Sequence, residues 1–206
     1  SSKKKTTYGA FNQPAIMCSN IVFPIEDSDN YLDRDSFRLD KFIGDNGLES
    51  IVDRNKVNKK LKYNYKNNEI KELFDYKNIK NYSAKIHKIL TNVENSKGIV
   101  FIYSQFLASG ILPLCLALEN LGYKKYGESL LSKKYESKDR KGNYIIISGN
   151  NDLSKNAYAD YIKIENQNIN GEKVKIIIGS ETAAEGLDFK YIREIHILEP
   201  WFHLNK

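Results

Sequence analysis

Four short runs govern what the second half of this chain can become: GIVFIYS (98–104), NYIIISGN (143–150), VKIIIGS (174–180) and IREIHIL (192–198). Each has a β-branched, apolar centre, as expected of strands in a parallel sheet covered on both faces. The stretches between them carry helical spacing instead. SAKIHKILTNV (83–93) sets Ile86, Ile89, Leu90 and Val93 on one face, with Ser83 available as the cap. QFLASGILPLCLALENLGY (105–123) is a leucine-rich helical region with Pro113 suited to its first turn and Gly122 at its stop. LSKNAYADYIKIENQNINGEK (153–173) reads as one polar-faced helix and an Asn/Gly turn.

Helix and strand alternating in this way predict an α/β fold, a parallel sheet with helices on both faces. Right-handed crossovers bring the carboxyl ends of such strands to one edge, where ligands bind. Three of the four runs end there in small or polar residues: Ser104, Ser148–Gly149–Asn150 and Gly179–Ser180.

The 206 residues suffice for one sizeable core and a smaller appended region. Residues 1–81 read as an irregular connector or accessory segment preceding a lobe over 82–206. Within the connector, EDSDNYLDRD (26–35) is an acidic loop, and KLKYNYKNN (60–68) reads as a polar loop despite its interleaved tyrosines. Cys18 and Cys115 lack CxxC or Cys/His spacing, which argues against a disulfide framework or zinc site and fits a reducing, intracellular setting. His87, His196 and His203 lie on separate elements without ligand spacing, so no metal site is expected. No run of apolar residues is long enough to span a membrane. The net charge is +6, with one basic cluster between Lys124 and Lys141 and another between Lys56 and Lys62. Such clusters suit a phosphate backbone, but on charge alone a lysine-rich solubilising surface is the preferred reading.

The most informative segment is GSETAAEGLDF (179–189). Ser180 follows a strand directly, so its hydroxyl and the adjoining backbone N–H groups can donate to a phosphate oxygen. Ala183 and Ala184 keep the turn thin, and Gly186 permits a sharp bend or close approach to a ligand. Asp188 is a short acceptor suited to ribose hydroxyls or a nucleotide-bound water. Taken alone, EGLDF also fits an ordinary helix stop with an aspartate cap. Trp201 and Phe202 could stack on bases, but aromatic residues just after a strand suit core packing.

In fixed order, FIYSQF, YIIISGNND, VKIIIGSETAAEGLDF and IREIHILEPWFHLN resemble the second RecA-like lobe of superfamily 2 helicases. The likeness is closest to the helicase-like nucleoside triphosphatases of large DNA viruses, the poxvirus early-transcription type among them. It covers roughly residues 82–206, and GSETAAEGLDF, similar to the family's fifth motif, is its specific part. The resemblance implies that Gly186 and Asp188, with Glu185 beside them, face ATP, and that Ser180, Ser104 and Gly149 face a DNA or RNA strand.

It implies further partners too: an amino-terminal RecA-like lobe that holds most of the ATP and Mg2+, and the transcription machinery. There is no GxxxxGK[ST] loop, no DExx-type motif, and no sixth motif after PWFHLNK. The chain is therefore expected to be a fragment ending before its last motif, with no catalytic residue of its own and no ATP hydrolysis alone. Its Asn/Lys/Ile-rich usage suits an AT-rich genome such as a large DNA virus, which would place it in the host cytoplasm or virion. The alternative is a non-catalytic α/β module, derived from such a lobe, that binds nucleic acid or protein.

Overall fold

The structure, a computed structural model, describes residues 8–24, 38–58, 60–181 and 187–200. In chain order the helices are α1 (Tyr8–Asn20), α2 (Gly44–Ile51), α3 (Asn68–Leu73), α4 (Ala84–Asn95), α5 (Leu112–Leu121), α6 (Asn151–Ser154) and α7 (Ala157–Ile164). The strands are β1 (Val52–Val57), β2 (Lys60–Tyr65), β3 (Ile99–Tyr103), β4 (Tyr123–Lys125), β5 (Gly142–Ile147), β6 (Ile176–Gly179) and β7 (Ile192–Ile197). Among the described residues, five of them form one sheet in the order β4-β5-β6-β3-β7, and every pairing is parallel. The α/β expectation holds. A fifth strand, β4, joins the four anticipated, built from the start of a basic segment whose lysines disguise it.

Both faces of the sheet are covered. On one side Val100, Ile102, Ile146, Ile176 and Ile178 pack with the apolar face of α4 and with α5. Every residue of α5 from Leu112 to Glu119 is buried, the run Leu112–Leu118 because it is apolar all round and Glu119 because hydrogen bonds satisfy it. The caps are those the sequence suggested: the Ser83 hydroxyl accepts from the Ile86 N–H at 3.0 Å, and Gly122 ends α5 at φ 108°. On the other side Ile99, Ile145, Ile147 and Ile177 pack with Tyr161 of α7. The single helix expected over the 153–173 stretch is broken into α6 and α7, with Asn156 in left-handed geometry between them. At the β7 edge, Ile195 and Ile197 stay about three-fifths exposed.

The stretch before Tyr82 holds more order than its composition advertised. KLKYNY is not a loop: it is β2, paired antiparallel with β1. Its period of two buries Leu61, Tyr63 and Tyr65 and turns Lys60, Lys62 and Asn64 away. The hairpin docks through Tyr63, whose N–H donates to Leu130 O at 2.8 Å and whose carbonyl accepts from Ser132 N–H at 3.0 Å. The Tyr65 ring meets Phe74 and, edge-on at 5.1 Å, Tyr135. Ile21, Phe23, Leu48, Ile51 and the hairpin tyrosines belong to the same core cluster as α4, α5 and β3. The acidic stretch 26–35 lies outside the described residues.

Cys115 is completely buried in α5, and burial pushes its thiol well above the usual range; half-buried Cys18 is raised for the same reason. At pH 8 a thiol reagent is expected to reach Cys115 at least about a thousandfold more slowly in the folded chain than in denaturant. Equal rates in the two conditions, followed by the colour of the released reagent, would mean that α5 is not packed as described.

Candidate functional site

The sheet register fixes the site. Ile147, Gly179, Tyr103 and Ile197 are mutual partners across β5, β6, β3 and β7, so the next residue of each strand lies on one edge. The ladder continues one step: Ser180 N–H donates to Ile147 O (3.0 Å), Ser104 N–H to Gly179 O (3.1 Å) and Leu198 N–H to Tyr103 O (3.0 Å). Ser148, Ser180 and Ser104 thus stand in a row, followed by the Leu198–Glu199 end of β7. Ser180 is half-buried with its side chain at this edge, and Gly149 is exposed at the end of β5. Beside Gly149, the Asn150 side chain caps α6 by accepting from the Asp152 N–H at 2.9 Å.

Ser104 behaves differently from its neighbours in the row. It is fully buried and donates to Glu199 Oε1 at 2.7 Å, so a bound strand would have to displace that contact to reach its hydroxyl. The same oxygen accepts from the N–H groups of Gln105 (2.6 Å) and Phe106 (3.3 Å), while Oε2 accepts from Asn20 Nδ2 (3.1 Å). Glu199, itself 1% exposed, therefore ties the end of β7 to the turn after β3 and to α1. Lys85 completes the knot, donating to Leu198 O, Asn20 Oδ1 and Ser19 Oγ. Burial lowers the Lys85 pKa, and the Glu199 carboxylate partly opposes that shift. Over this knot lies a π-helical turn, Leu107–Ile111, in which a Cβ on Gly110 would fall 2.0 Å from Ser104 Oγ. Glycine is required there because the backbone passes directly over the serine.

Beyond Glu181 the turn through Gly186 is outside the described residues, Glu185 included, as are Trp201, Phe202 and His203. The chain is described again at Leu187. Phe189 inserts between Phe101, Tyr158 and Tyr161, at ring distances of 5.6, 5.6 and 6.0 Å. Lys190 N–H donates to the buried Glu165 Oε1 at 3.1 Å. The Tyr158 hydroxyl bridges the main-chain N–H and carbonyl of Asp188, both at 3.3 Å. With Leu187 and Phe189 partly buried on either side, the Asp188 side chain is left exposed, without hydrogen bond or ion pair among the described residues. A fixed main chain and an uncommitted carboxylate are what a short acceptor for ligand hydroxyls needs.

At the same edge the Tyr103 phenol is raised above its usual range, first by burial and then by the carboxylates of Glu181 and Glu199. Among the described residues no group of three or more His, Cys, Asp or Glu is placed to hold a metal ion. Nor is any described helix long and apolar enough to cross a membrane. Sequence reasoning brought Ser104, Gly149 and Ser180 to one edge and missed Glu199. The available signal was a carboxylate directly after the fourth apolar run, at the place where the other strands end in polar residues.

A protein of African swine fever virus named as a termination factor NPH-I homolog is 31% identical over 149 residues, covering 59% of this chain and 21% of the relative. A protein of Acanthamoeba polyphaga mimivirus that carries the name of an ATP-dependent RNA helicase is 27% identical over 132 residues, covering 62% and 21%. A killer plasmid pGKL-2 helicase of Kluyveromyces lactis is 24% identical over 123 residues, covering 59% and 19%. The chain thus spans about a fifth of the length of these relatives. No protein-family model matches it, and no solved structure does.

Proposed function

Because the chain is related to helicase-like proteins of large DNA viruses, we propose that it is the second RecA-like lobe of an ATP-dependent nucleic-acid translocase, working inside a reducing cell compartment. In this reading residues 82–206 form the lobe. The sheet's carboxyl edge faces both ligands, with Asp188 turned to the nucleotide and Ser180 and Gly149 to the sugar–phosphate backbone of a DNA or RNA strand. Glu185 and Gly186 belong to the nucleotide side by their place in the same turn. Ser104 acts here as a positioning residue: through Glu199 it fixes the turn that carries Gln105. ATP and Mg2+ are held mainly by an amino-terminal RecA-like lobe, which supplies the phosphate cradle and the metal carboxylate. This lobe's own part is to orient the ribose or a nucleotide-bound water through Asp188 and to grip the strand. Closure of the two lobes around ATP then moves the strand. Transcription machinery is the proposed wider partner, by analogy with the relative named as a termination factor.

The observation that carries this reading is the exposed, uncommitted Asp188 carboxylate on a main chain pinned by Tyr158 and Phe189. The test is strand-stimulated ATP hydrolysis by the complete gene product containing this chain. Asp188→Ala is expected to lower turnover at least about tenfold, the loss of one positioned contact in the transition state, with an unchanged circular dichroism spectrum. Equal turnover would reduce Asp188 to a turn cap. If the wild-type protein hydrolyses no ATP with or without DNA or RNA, the chain is the non-catalytic binding module.

A further inference from the structure

A second basic feature lies away from the carboxyl edge. β4 is the outermost strand of the sheet, and it pairs with the first half of β5, Tyr123 to Lys125 opposite Gly142 to Tyr144. Between this strand and the β1–β2 hairpin runs a groove of about 690 Å³. The two basic clusters, some 60 residues apart in sequence, meet there. Lys60 and Lys62 come from the hairpin, and Lys124, Lys125, Lys133 and Arg140 from β4 and the segment after it. Glu128 and Glu136 are the carboxylates lining it, so six cations against two anions leave an excess of four positive charges. Most of the chain's net +6 is thus gathered at one place.

Those carboxylates are already engaged. Glu128 lies 3.4 Å from Lys60 and 3.7 Å from Lys62, and Glu136 lies 3.0 Å from Lys124. Lys125, Lys133 and Arg140 form no ion pair among the described residues. Lys125 is half-buried, and desolvation lowers its pKa, so it would gain from an incoming anion. Cations concentrated this way repel one another within a Debye length of about 8 Å. A solubilising surface would disperse them, whereas a site for phosphates would collect them. At the rim the Tyr126 ring is exposed, a face on which a base can stack. Few apolar anchors line the groove, which counts against a protein segment as occupant. Its small-ligand dimensions admit a single strand rather than a duplex.

We propose that the groove between β4 and the β1–β2 hairpin binds the phosphodiester backbone of a single nucleic-acid strand, as a second contact separate from the sheet's carboxyl edge. The proposal rests on the nucleic-acid half of the function proposed above and not on the nucleotide half. Lys125, Lys133 and Arg140 would meet phosphates, and Tyr126 a base.

The experiment is fluorescence anisotropy of a labelled 20-nucleotide oligo(dT) titrated with the 206-residue chain at several salt concentrations. A 20-base-pair duplex, inorganic phosphate, ATP and a poly-glutamate peptide serve as competitors. Lys133→Glu/Arg140→Glu, two exposed sites without an ion pair among the described residues, is expected to weaken binding at least about tenfold and to flatten the salt dependence by roughly 1.4 in log–log slope, the share of two phosphates. Lys77→Glu/Lys80→Glu, the same charge change outside the groove, is expected to stay within about twofold beyond the common long-range effect. Thermal melts establish that both variants fold. Equal affinity in the two double variants overturns the groove proposal while leaving the carboxyl edge intact. Competition by phosphate or ATP as strong as by oligo(dT) makes it a free-anion site instead. Competition by poly-glutamate as strong makes it an acidic-protein site. If the wild-type chain binds no oligonucleotide, the groove proposal and the nucleic-acid half of the proposed function fail together, and the Asp188 result still stands on its own.

Discussion

Replacing Glu119 by leucine is expected to destabilise the chain by about 4 kcal/mol and to lower its melting temperature by roughly 8–16 °C for a domain of this size. Glu119 lies within α5 and is 2% exposed. Its carboxylate accepts from the N–H groups of Leu130 (2.7 Å) and Leu131 (2.8 Å), from Tyr144 Oη–H (2.8 Å) and from the Ser129 hydroxyl. Among the described residues no cation lies within ion-pair distance of it, so an apolar replacement removes no buried salt bridge and instead orphans four donors. Two of those are hydroxyls that can rotate. The two N–H groups cannot, and each buried, unsatisfied donor costs about 1–3 kcal/mol. Leu130 O also accepts from Tyr63, so the same loop anchors the hairpin. Glu119→Gln keeps one carbonyl oxygen toward the donors and is expected to cost about half as much. A melting shift below about 3 °C for the leucine variant would show that the loop at 129–131 is held by something else.

The knot at Glu199 should be the next most sensitive place, and it can be read by coupling rather than by loss alone. Glu199→Leu is expected to cost about 3 kcal/mol by orphaning the Gln105 N–H and Asn20 Nδ2, while the Phe106 N–H keeps only its 3.2 Å bond to Ser104 Oγ. Gly110→Ala drives a methyl onto the Ser104 hydroxyl and should cost about 1–3 kcal/mol. Ser104→Ala alone removes the bond donated to Glu199 and the one accepted from the Phe106 N–H, which still reaches Glu199 Oε1, at a cost of about 1–2 kcal/mol. In the Ser104→Ala background the intruding methyl meets no hydroxyl, so Gly110→Ala should cost about 1 kcal/mol less than in the wild type. Strict additivity in denaturant titrations would contradict the close approach of the π-helical turn to Ser104.

Much of this could be read from residues alone, and the reason differs from element to element. The β-branched runs at 99–103, 144–147 and 176–178 are apolar enough that only a covered parallel sheet suits them, and the sheet contains them. Ser83 and Gly122 mark their helix ends through local geometry, which the adjacent sequence carries. β2 and β4 were harder. In β2 the buried face is Leu61, Tyr63 and Tyr65 with lysine or asparagine between them, so mean polarity hides the period of two, and in β4 one buried Tyr123 precedes two lysines. The break between α6 and α7 rests on one left-handed asparagine, a choice with little trace in composition.

The alternation of helix and strand, the row of polar strand ends and the resemblance to helicase lobes were all legible in the residues. These are local: each depends on side-chain type at short spacing, which the chain states directly. The tertiary structure decided what each polar group is free to do. Ser104 and Ser180 look alike in sequence, yet one is consumed by a carboxylate 95 positions away and the other stands at the open edge. Two lysine clusters read as unrelated surface charge until the hairpin folds beside β4. Contacts between residues far apart in the chain depend on strand order and register, and no local pattern encodes those.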